Sequence, residues 1–320
     1  MSDTQKSETA LQEDAYEFPG CRVRIRSDIE DVGAHLRSAY AAFSLGRVSA
    51  PGKEVPGAAP SEFSLQVREY PAGSGDVQVA VDGVVCRLPY EARGARRPDT
   101  GLASTAAAFA ETVLLTELAR HAPDHLFLRA AAVSWQGRGL VFPGRARTGK
   151  TALALKLVAQ GCRLLSDSVA CIHLAQGIAE PFPRTLTLRE EHLAMISLPA
   201  GAHLPVRDAL SRGVGAWTLG IEEIVPGALS LPCVPRFLLF LRGFGENTRV
   251  ERVSSANAVF ALPRFSLGRS HDPASLLFRL AQILDRMECF SLVMGDLDEA
   301  AVRIIALASE NQAAPARRDP

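Results

Sequence analysis

Eight consecutive residues, Gly144-Arg145-Ala146-Arg147-Thr148-Gly149-Lys150-Thr151, fit the pattern G-x-x-x-x-G-K-[ST] at every fixed position. The chemistry this spacing serves is the holding of phosphates. Glycines at both ends let the backbone curl until successive N–H groups face one concavity. A helix beginning at the end of the loop adds partial positive charge there. On this reading Lys150 reaches the β- and γ-phosphates of a nucleoside triphosphate and the Thr151 hydroxyl holds Mg2+, so ATP and Mg2+ are the expected pair. Arg145 and Arg147 either contact phosphate or a phosphorylated product, or point to solvent. A glycine-rich turn with no ligand is the alternative for the loop as a whole.

Asp167 is the second candidate, at the end of the apolar run "RLLSD". An acid at a strand end beside a phosphate loop either binds Mg2+ or takes a proton from an attacking hydroxyl. As a cap or turn aspartate it would do neither.

These side chains need elements to position them. "HLFLRAAAVSW" reads as a strand, "QGRG" as a tight turn and "LVFPG" as the strand entering the loop, so that strand has a hairpin partner. The helix after the loop runs from Lys150 to about Gln160 and stops at Gly161, a C-terminal cap residue. "CRLLSD" and "SVACIHLAQG" follow as short strands. Further on, "VPRFLLFLRGF" reads as a buried strand and "DPASLLFRLAQILDRMEC" as a helix with Pro273 in its first turn. "FSLVMGD" and "LDEAAVRIIALAS" give a last strand and helix. Between them "GAHLPVRDALSRGVGAWTLG" is glycine-rich, an active-site loop or an irregular stretch.

Ahead of the loop, "LASTAAAFAETVLLTELARHAP" predicts a helix. "CRVRIRSD", "FSLQVREY" and "DVQVAVDGVVCRLPY" predict strands, the last broken at Asp82-Gly83, and "IEDVGAHLRSAYAAF" predicts a helix. The expected organisation is a disordered leader over 1–16, a small α+β domain over 17–100, an α/β P-loop domain over 101–310 and a disordered tail over 311–320.

Composition sets outer bounds. The 320 residues are 47% hydrophobic and 22% charged with a formal net charge of zero, so nothing global attracts nucleic acid or an anionic membrane. No basic stripe carries interleaved aromatics, and nucleic acid is not an expected partner. "MSDTQKSETALQED" has neither the basic start nor the apolar core of a signal peptide, and "FLLFL" is too short to span a bilayer, so a cytoplasmic location is expected. The six cysteines are scattered and read as buried, reduced thiols. Cys171 and His173 share a predicted strand, but two ligands do not make a zinc site. His121 and His125 flank a helix end and read as acceptor-binding or as ordinary surface histidines. Glu190 and Glu191 read as a charged helix start, and Trp135 as a packing residue or an adenine stack.

The run "LFLRAAAVSWQGRGLVFPGRARTGKTALALKLVAQGCRLLSDSVACI" resembles the catalytic core of the HPr kinase/phosphorylase superfamily. The order is the same: a strand pair, the loop, a helix ending x-G-x-R-L, then an acid. The likeness extends from about Leu126 to Arg184, where "PFPRTLTL" is similar to a segment of HPr-kinase-related proteins. It departs from the bifunctional enzymes at three points. Asp167-Ser168 stands where they have two adjacent acids, Arg129 stands where a histidine is expected, and the Glu-x-Arg-Gly stretch is missing.

The resemblance implies an α/β, HPr-kinase-like catalytic domain with a smaller N-terminal α+β domain. It implies transfer of the γ-phosphoryl group of ATP to a serine hydroxyl of a peptide or protein partner. Lys150 would offset charge on the transferring group, Asp167 would be metal partner or base, and Arg184 would be an electrophilic arginine or pair with an acid such as Glu190. Phosphorolysis, and HPr as acceptor, are not expected. A homo-oligomer is compatible, since the bifunctional relatives form rings. The other readings are a nucleotide-binding regulatory module without transfer activity and a small-molecule kinase.

Overall fold

The computed structural model describes residues 13–47, 61–69, 77–86, 102–189, 216–268 and 272–310. The chain divides into two compact units, Met1–Ala122 and Pro123–Pro320. Both combine sheet and helix, which makes the fold mixed α/β.

The first unit comprises β1 (Glu13–Phe18), β2 (Cys21–Ser27), α1 (Glu30–Ala39), β3 (Ser44–Arg47), β4 (Ser61–Glu69), β5 (Val77–Val81), β6 (Val84–Cys86) and α2 (Leu102–His121). Its strands form one sheet in the order β3-β1-β2-β4-β5-β6. Strand β2 shows how alternation dictates the packing. Cys21, Val23 and Ile25 are buried, while Arg22, Arg24 and Arg26 turn away and Arg24 pairs with Glu62 at 2.5 Å. Helix α1 lies against β2 and helix α2 against β4 and β5, and Val32 and Leu36 of α1 and Ala110, Leu114 and Leu118 of α2 are buried.

Two expectations change here. Glu13–Tyr16, assigned to a disordered leader, form most of β1, and Tyr16 is only 1% exposed, its ring stacked with that of Phe18. Helix α2, assigned to the P-loop domain, packs on β4 and β5 and groups with the first unit. Residues 1–12, the Gly/Pro/Ala-rich stretch 48–60 and the tail 311–320 lie outside the described residues.

The second unit runs β7 (His125–Trp135), β8 (Arg138–Pro143), α3 (Lys150–Ala159), β9 (Arg163–Ser166), β10 (Val169–His173), β11 (Ile178–Glu180), β12 (Leu186–Arg189), β13 (Ala216–Leu219), the single turn α4 (Ile221–Ile224), β14 (Val234–Phe244), β15 (Arg249–Arg252), α5 (Ser255–Ala261), α6 (Pro273–Leu284), β16 (Glu288–Met294) and α7 (Leu297–Glu310). Its main sheet has the order β11-β10-β7-β8-β14-β16-β15, with β9 pairing β7 as well, and β12 pairs β13 apart from it. Strands β8, β14 and β16 are parallel to one another, whereas β7 and β8 form the expected antiparallel hairpin.

The central strands are apolar on both faces because helices cover both. On one side Val133, Phe142, Leu239 and Leu292 meet Leu153 and Leu157 of α3 and Ala300 and Ile304 of α7. On the other, Leu128, Val141 and Phe240 meet Ala258 of α5 and Leu280 and Leu284 of α6. Trp135 takes the packing role: it lies against the α3 side of the core and its Nε1 donates to Ser309 Oγ at 3.1 Å. All six cysteines are free thiols. No described helix is long and apolar enough to cross a membrane.

Candidate active site

The loop between β8 and α3 begins where β8 leaves the sheet. Gly144 N–H still donates to Arg129 O on the neighbouring strand, at 3.3 Å, and the chain then turns away. Arg147 and Gly149 both lie in the left-handed region, at φ 64° and 85°. Residues of that hand alternating with right-handed ones direct successive N–H groups into one concavity, the backbone form of an anion site. Thr148 Oγ1 closes the turn by donating to Arg145 O at 2.8 Å. Lys150 Nζ donates to Gly144 O at 3.0 Å and to Arg145 O at 2.7 Å, so the ammonium group lies against the loop itself. Arg145, Ala146 and Arg147 are exposed at the tip.

The two glycines of the motif are held by different constraints, Gly144 by space and Gly149 by the hand of its backbone. A Cβ on Gly144 would meet Thr148 Oγ1 at 2.5 Å and Leu241 Cβ at 3.1 Å. One on Gly149 would meet Met294 Cε at 2.8 Å and Phe244 Cζ at 2.9 Å. Phe244 is 57% exposed and a methionine tip is flexible, so both give way and the left-handed backbone sets the cost. Gly149→Ala is accordingly expected to destabilise the protein by about 1–2 kcal/mol, read as a lower urea midpoint at unchanged slope.

Asp167 reaches the same place by a different route. Strands β9 and β10 share one edge of β7: Ser166 pairs with Ala132 and Val169 with Arg129. Asp167 and Ser168 occupy the break between them. Ser166, fully buried, holds the corner by accepting Val169 N–H at 3.1 Å. Across β7, Ala130 is paired with Pro143, the residue before the loop. The acid and the loop therefore leave the sheet at one level, on either side of a single strand.

Thr151 Oγ1 donates to Asp167 Oδ2 at 3.1 Å and Ser168 Oγ donates to Oδ1 at 2.9 Å. Asp167 is 8% exposed, and burial raises its pKa above the ordinary carboxylate value, against the opposing pull of Arg184 and of the two hydroxyls. Burial likewise lowers the Lys150 pKa, with Asp167 opposing and Arg129 adding to the effect. Lys150 and Arg184 are thus each within electrostatic reach of Asp167, and Thr151 is bonded to it.

The two oxygens of Thr151 and Asp167 suit Mg2+. Adjacent ligands of an octahedral ion with bonds of 2.0–2.1 Å stand about 3 Å apart, and this pair is 3.1 Å apart. Sequence reasoning missed Ser166, Phe244 and the place of Arg129. A serine before the acid was a signal, since its hydroxyl can cap a tight corner; Phe244, distant in the chain, left none. Glu190, Glu191 and His192 lie outside the described residues, whereas His121 stays in the first unit, stacked on Phe63 and bonded to Ser61 at 3.3 Å.

No family model matches the chain, and no curated protein matches it in sequence. Among solved structures it is similar to the Hpr(Ser) kinase/phosphatase from Coxiella burnetii, at 12% identity over 58% of this chain and 93% of that one, with a TM-score of 0.28.

Proposed function

We propose that the chain is an ATP-dependent phosphotransferase that moves the γ-phosphoryl group to a serine hydroxyl of a peptide or protein partner. The observation that carries this reading is the contact of Thr151 with the buried Asp167, placed at the mouth of a loop that also holds Lys150. A loop that only bound phosphate would have no need of a carboxylate kept out of water beside it. Thr151 and Asp167 Oδ2 would hold Mg2+, which supplies charge neutralisation along the phosphates. The loop amides and Lys150 offset charge on the oxygens of the transferring group. Asp167 Oδ1 accepts the proton of the acceptor hydroxyl once the Ser168 hydroxyl turns aside. Arg184 faces the same charge from the segment after β11. The serine acceptor itself rests on the resemblance of the core and of "PFPRTLTL" to the HPr-kinase-related proteins.

The second reading is a nucleotide-binding module without transfer activity. Ser168 favours it, because a hydroxyl stands where a second acid would separate the metal and base roles, and it engages Asp167 Oδ1. The two readings part in one experiment. Purified protein with Mg2+ and γ-labelled ATP is mixed with extract from the source cells, and labelled products are analysed for phosphoserine. A discrete phosphoserine product supports transfer; saturable nucleotide binding with no labelled product supports the module; a labelled small molecule alone replaces the protein acceptor. In the first case Arg184→Ala should lower transfer about 10²-fold with little change in nucleotide binding, because its charge is aimed at the transition state. A loss of binding equal to the loss of rate would remove Arg184 from that role.

A further inference from the structure

Among the described residues, one group outside the loop brings three chemically distinct donor atoms together. His125 opens β7, Cys171 lies in the middle of β10, and Glu180 ends β11. Cys171 is paired directly with Glu180, and His173 with His125, so His125 and Cys171 are diagonal neighbours on one face of three adjacent strands. One donor atom from each of His125, Cys171 and Glu180 lies within 4.8 Å of the other two. His125 Nε2 and Glu180 Oε2 are already 3.2 Å apart. Neighbouring ligands of a tetrahedral zinc ion, with bonds of about 2.0–2.3 Å, stand about 3.3–3.8 Å apart, so closing the group needs only small rotations of side chains. His125 is 7% exposed and Cys171 0%, which keeps bulk water from competing for both. His173 borders the group, its ring meeting that of His125 edge-on with centroids 4.7 Å apart.

From these placements we infer that His125, Cys171 and Glu180 form a zinc site with three protein ligands and a fourth position left for water. Imidazole, thiolate and one carboxylate select a borderline-soft divalent ion over Mg2+, which takes oxygen ligands. The charges close as well: thiolate and carboxylate together cancel the two positive charges of the ion, and the imidazole ligand is neutral. Cys171 gives up its thiol proton to solvent when the zinc–sulfur bond forms. The site is independent of the phosphate loop in composition. Its effect reaches the loop through the backbone, since the strand that ends at Glu180 continues directly to Phe182, packed on Phe127, and then to Arg184. A bound ion pins β7, β10 and β11 together and fixes the start of the segment that carries Arg184. In the sequence Cys171 and His173 gave two ligands at most; the fold keeps Cys171, leaves His173 at the border and adds His125 and Glu180 from other strands.

The test uses the full chain stripped of metal with a chelator and then titrated with Zn2+ or Co2+ alone, without nucleotide. The expected result is about one equivalent of tightly bound Zn2+, a rise in melting temperature on binding, and a thiolate-to-cobalt charge-transfer band on addition of Co2+. Cys171→Ser and His125→Ala should lose the bound equivalent, while Cys289→Ser, a buried thiol elsewhere in the same unit, should keep it. Wild-type protein that shows no thiolate–cobalt band overturns the inference without recourse to any variant, and so does zinc binding that survives Cys171→Ser. Because the readout is metal binding, the result stands apart from the outcome of the labelling experiment with ATP.

Discussion

Lys150→Ala is expected to lower phosphoryl transfer about 10³-fold, equivalent to roughly 4 kcal/mol of transition-state stabilisation. The size follows from where the ammonium group sits. Its two hydrogen bonds run to carbonyls of the loop that would cradle the phosphates, so the charge is held at the loop by the loop, not swung in on a free side chain. It also lies in partly desolvated surroundings, as its lowered pKa records, and a charge there acts on a neighbour more strongly than one in water. Stability should fall by about 1 kcal/mol, because the exposed Arg145 carbonyl bonds to water instead while the part-buried Gly144 carbonyl loses its partner. Lys150→Arg should not restore activity. A planar guanidinium presents its donors in a fixed fork and does not reproduce a compact ammonium seated on two carbonyls one residue apart. Steady-state rates and nucleotide affinity, measured beside urea unfolding curves, check all three statements. A variant that folds, binds nucleotide and transfers at a tenth of the wild-type rate or better would dismiss the proposed role.

Asp167→Asn should have an equal or larger effect on rate, about 10³-fold, and an opposite effect on stability. The loss of rate follows from removing the negative charge beside Thr151 at the proposed metal position together with the acceptor for the hydroxyl proton. The effect on stability follows from the sign of its pKa shift. Burial raises the folded pKa of Asp167 above the unfolded value, so the folded state holds its proton more tightly. Stability from this group is fully present below the ordinary carboxylate value and is lost as pH rises through the raised one. Wild-type protein without nucleotide should therefore lose melting temperature over that window, and Asp167→Asn should lose less and be the more stable protein at neutral pH. For transfer the dependence is reversed: the base must be ionised, so the rate falls as pH drops and the carboxylate takes up its proton. Melting curves at closely spaced pH values, run for both proteins, test the stability claim. Equal slopes in the two proteins would mean that Asp167 carries its charge at no cost.

The local elements of the second unit were legible because they are local. A hairpin with "QGRG" between two apolar runs, a helix stopped by Gly161 and short strands on either side of Asp167 are written in consecutive residues. The motif was legible for the same reason. What could not be read is whatever depends on residues far apart in the chain. Strand β12 finds β13 across a long glycine-rich stretch, and β15 is four residues of mixed polarity whose partner, β16, lies beyond two helices. The break between β9 and β10 was visible as "SDS", but its placement opposite Pro143 depends on two separate registers along β7. Residues 13–16 were given to a disordered leader because Glu13, Asp14 and Glu17 make β1 look solvated, whereas its alternate residues Tyr16 and Phe18 are buried. Helix α2 was given to the wrong neighbour for a related reason: its apolar residues announce that it packs, without saying on what.

The order of the main sheet has a consequence for how the protein is made. The strand that carries the phosphate loop has β7 on one side, available at once, and β14 on the other, which the ribosome supplies only after a long intervening stretch. The helix leaving the loop waits longer still: Leu153 and Leu157 pack with Ala300 and Ile304, and Lys156 is ion-paired with Asp298. During synthesis the β7–β8 hairpin emerges with apolar residues on both faces and an open edge, the kind of surface that invites pairing with another chain. The loop between β8 and α3 is thus near the middle of the sequence and packs fully only when the last helix has been made. A nascent chain halted before α7 carries every residue of the motif and lacks the wall that holds them in place.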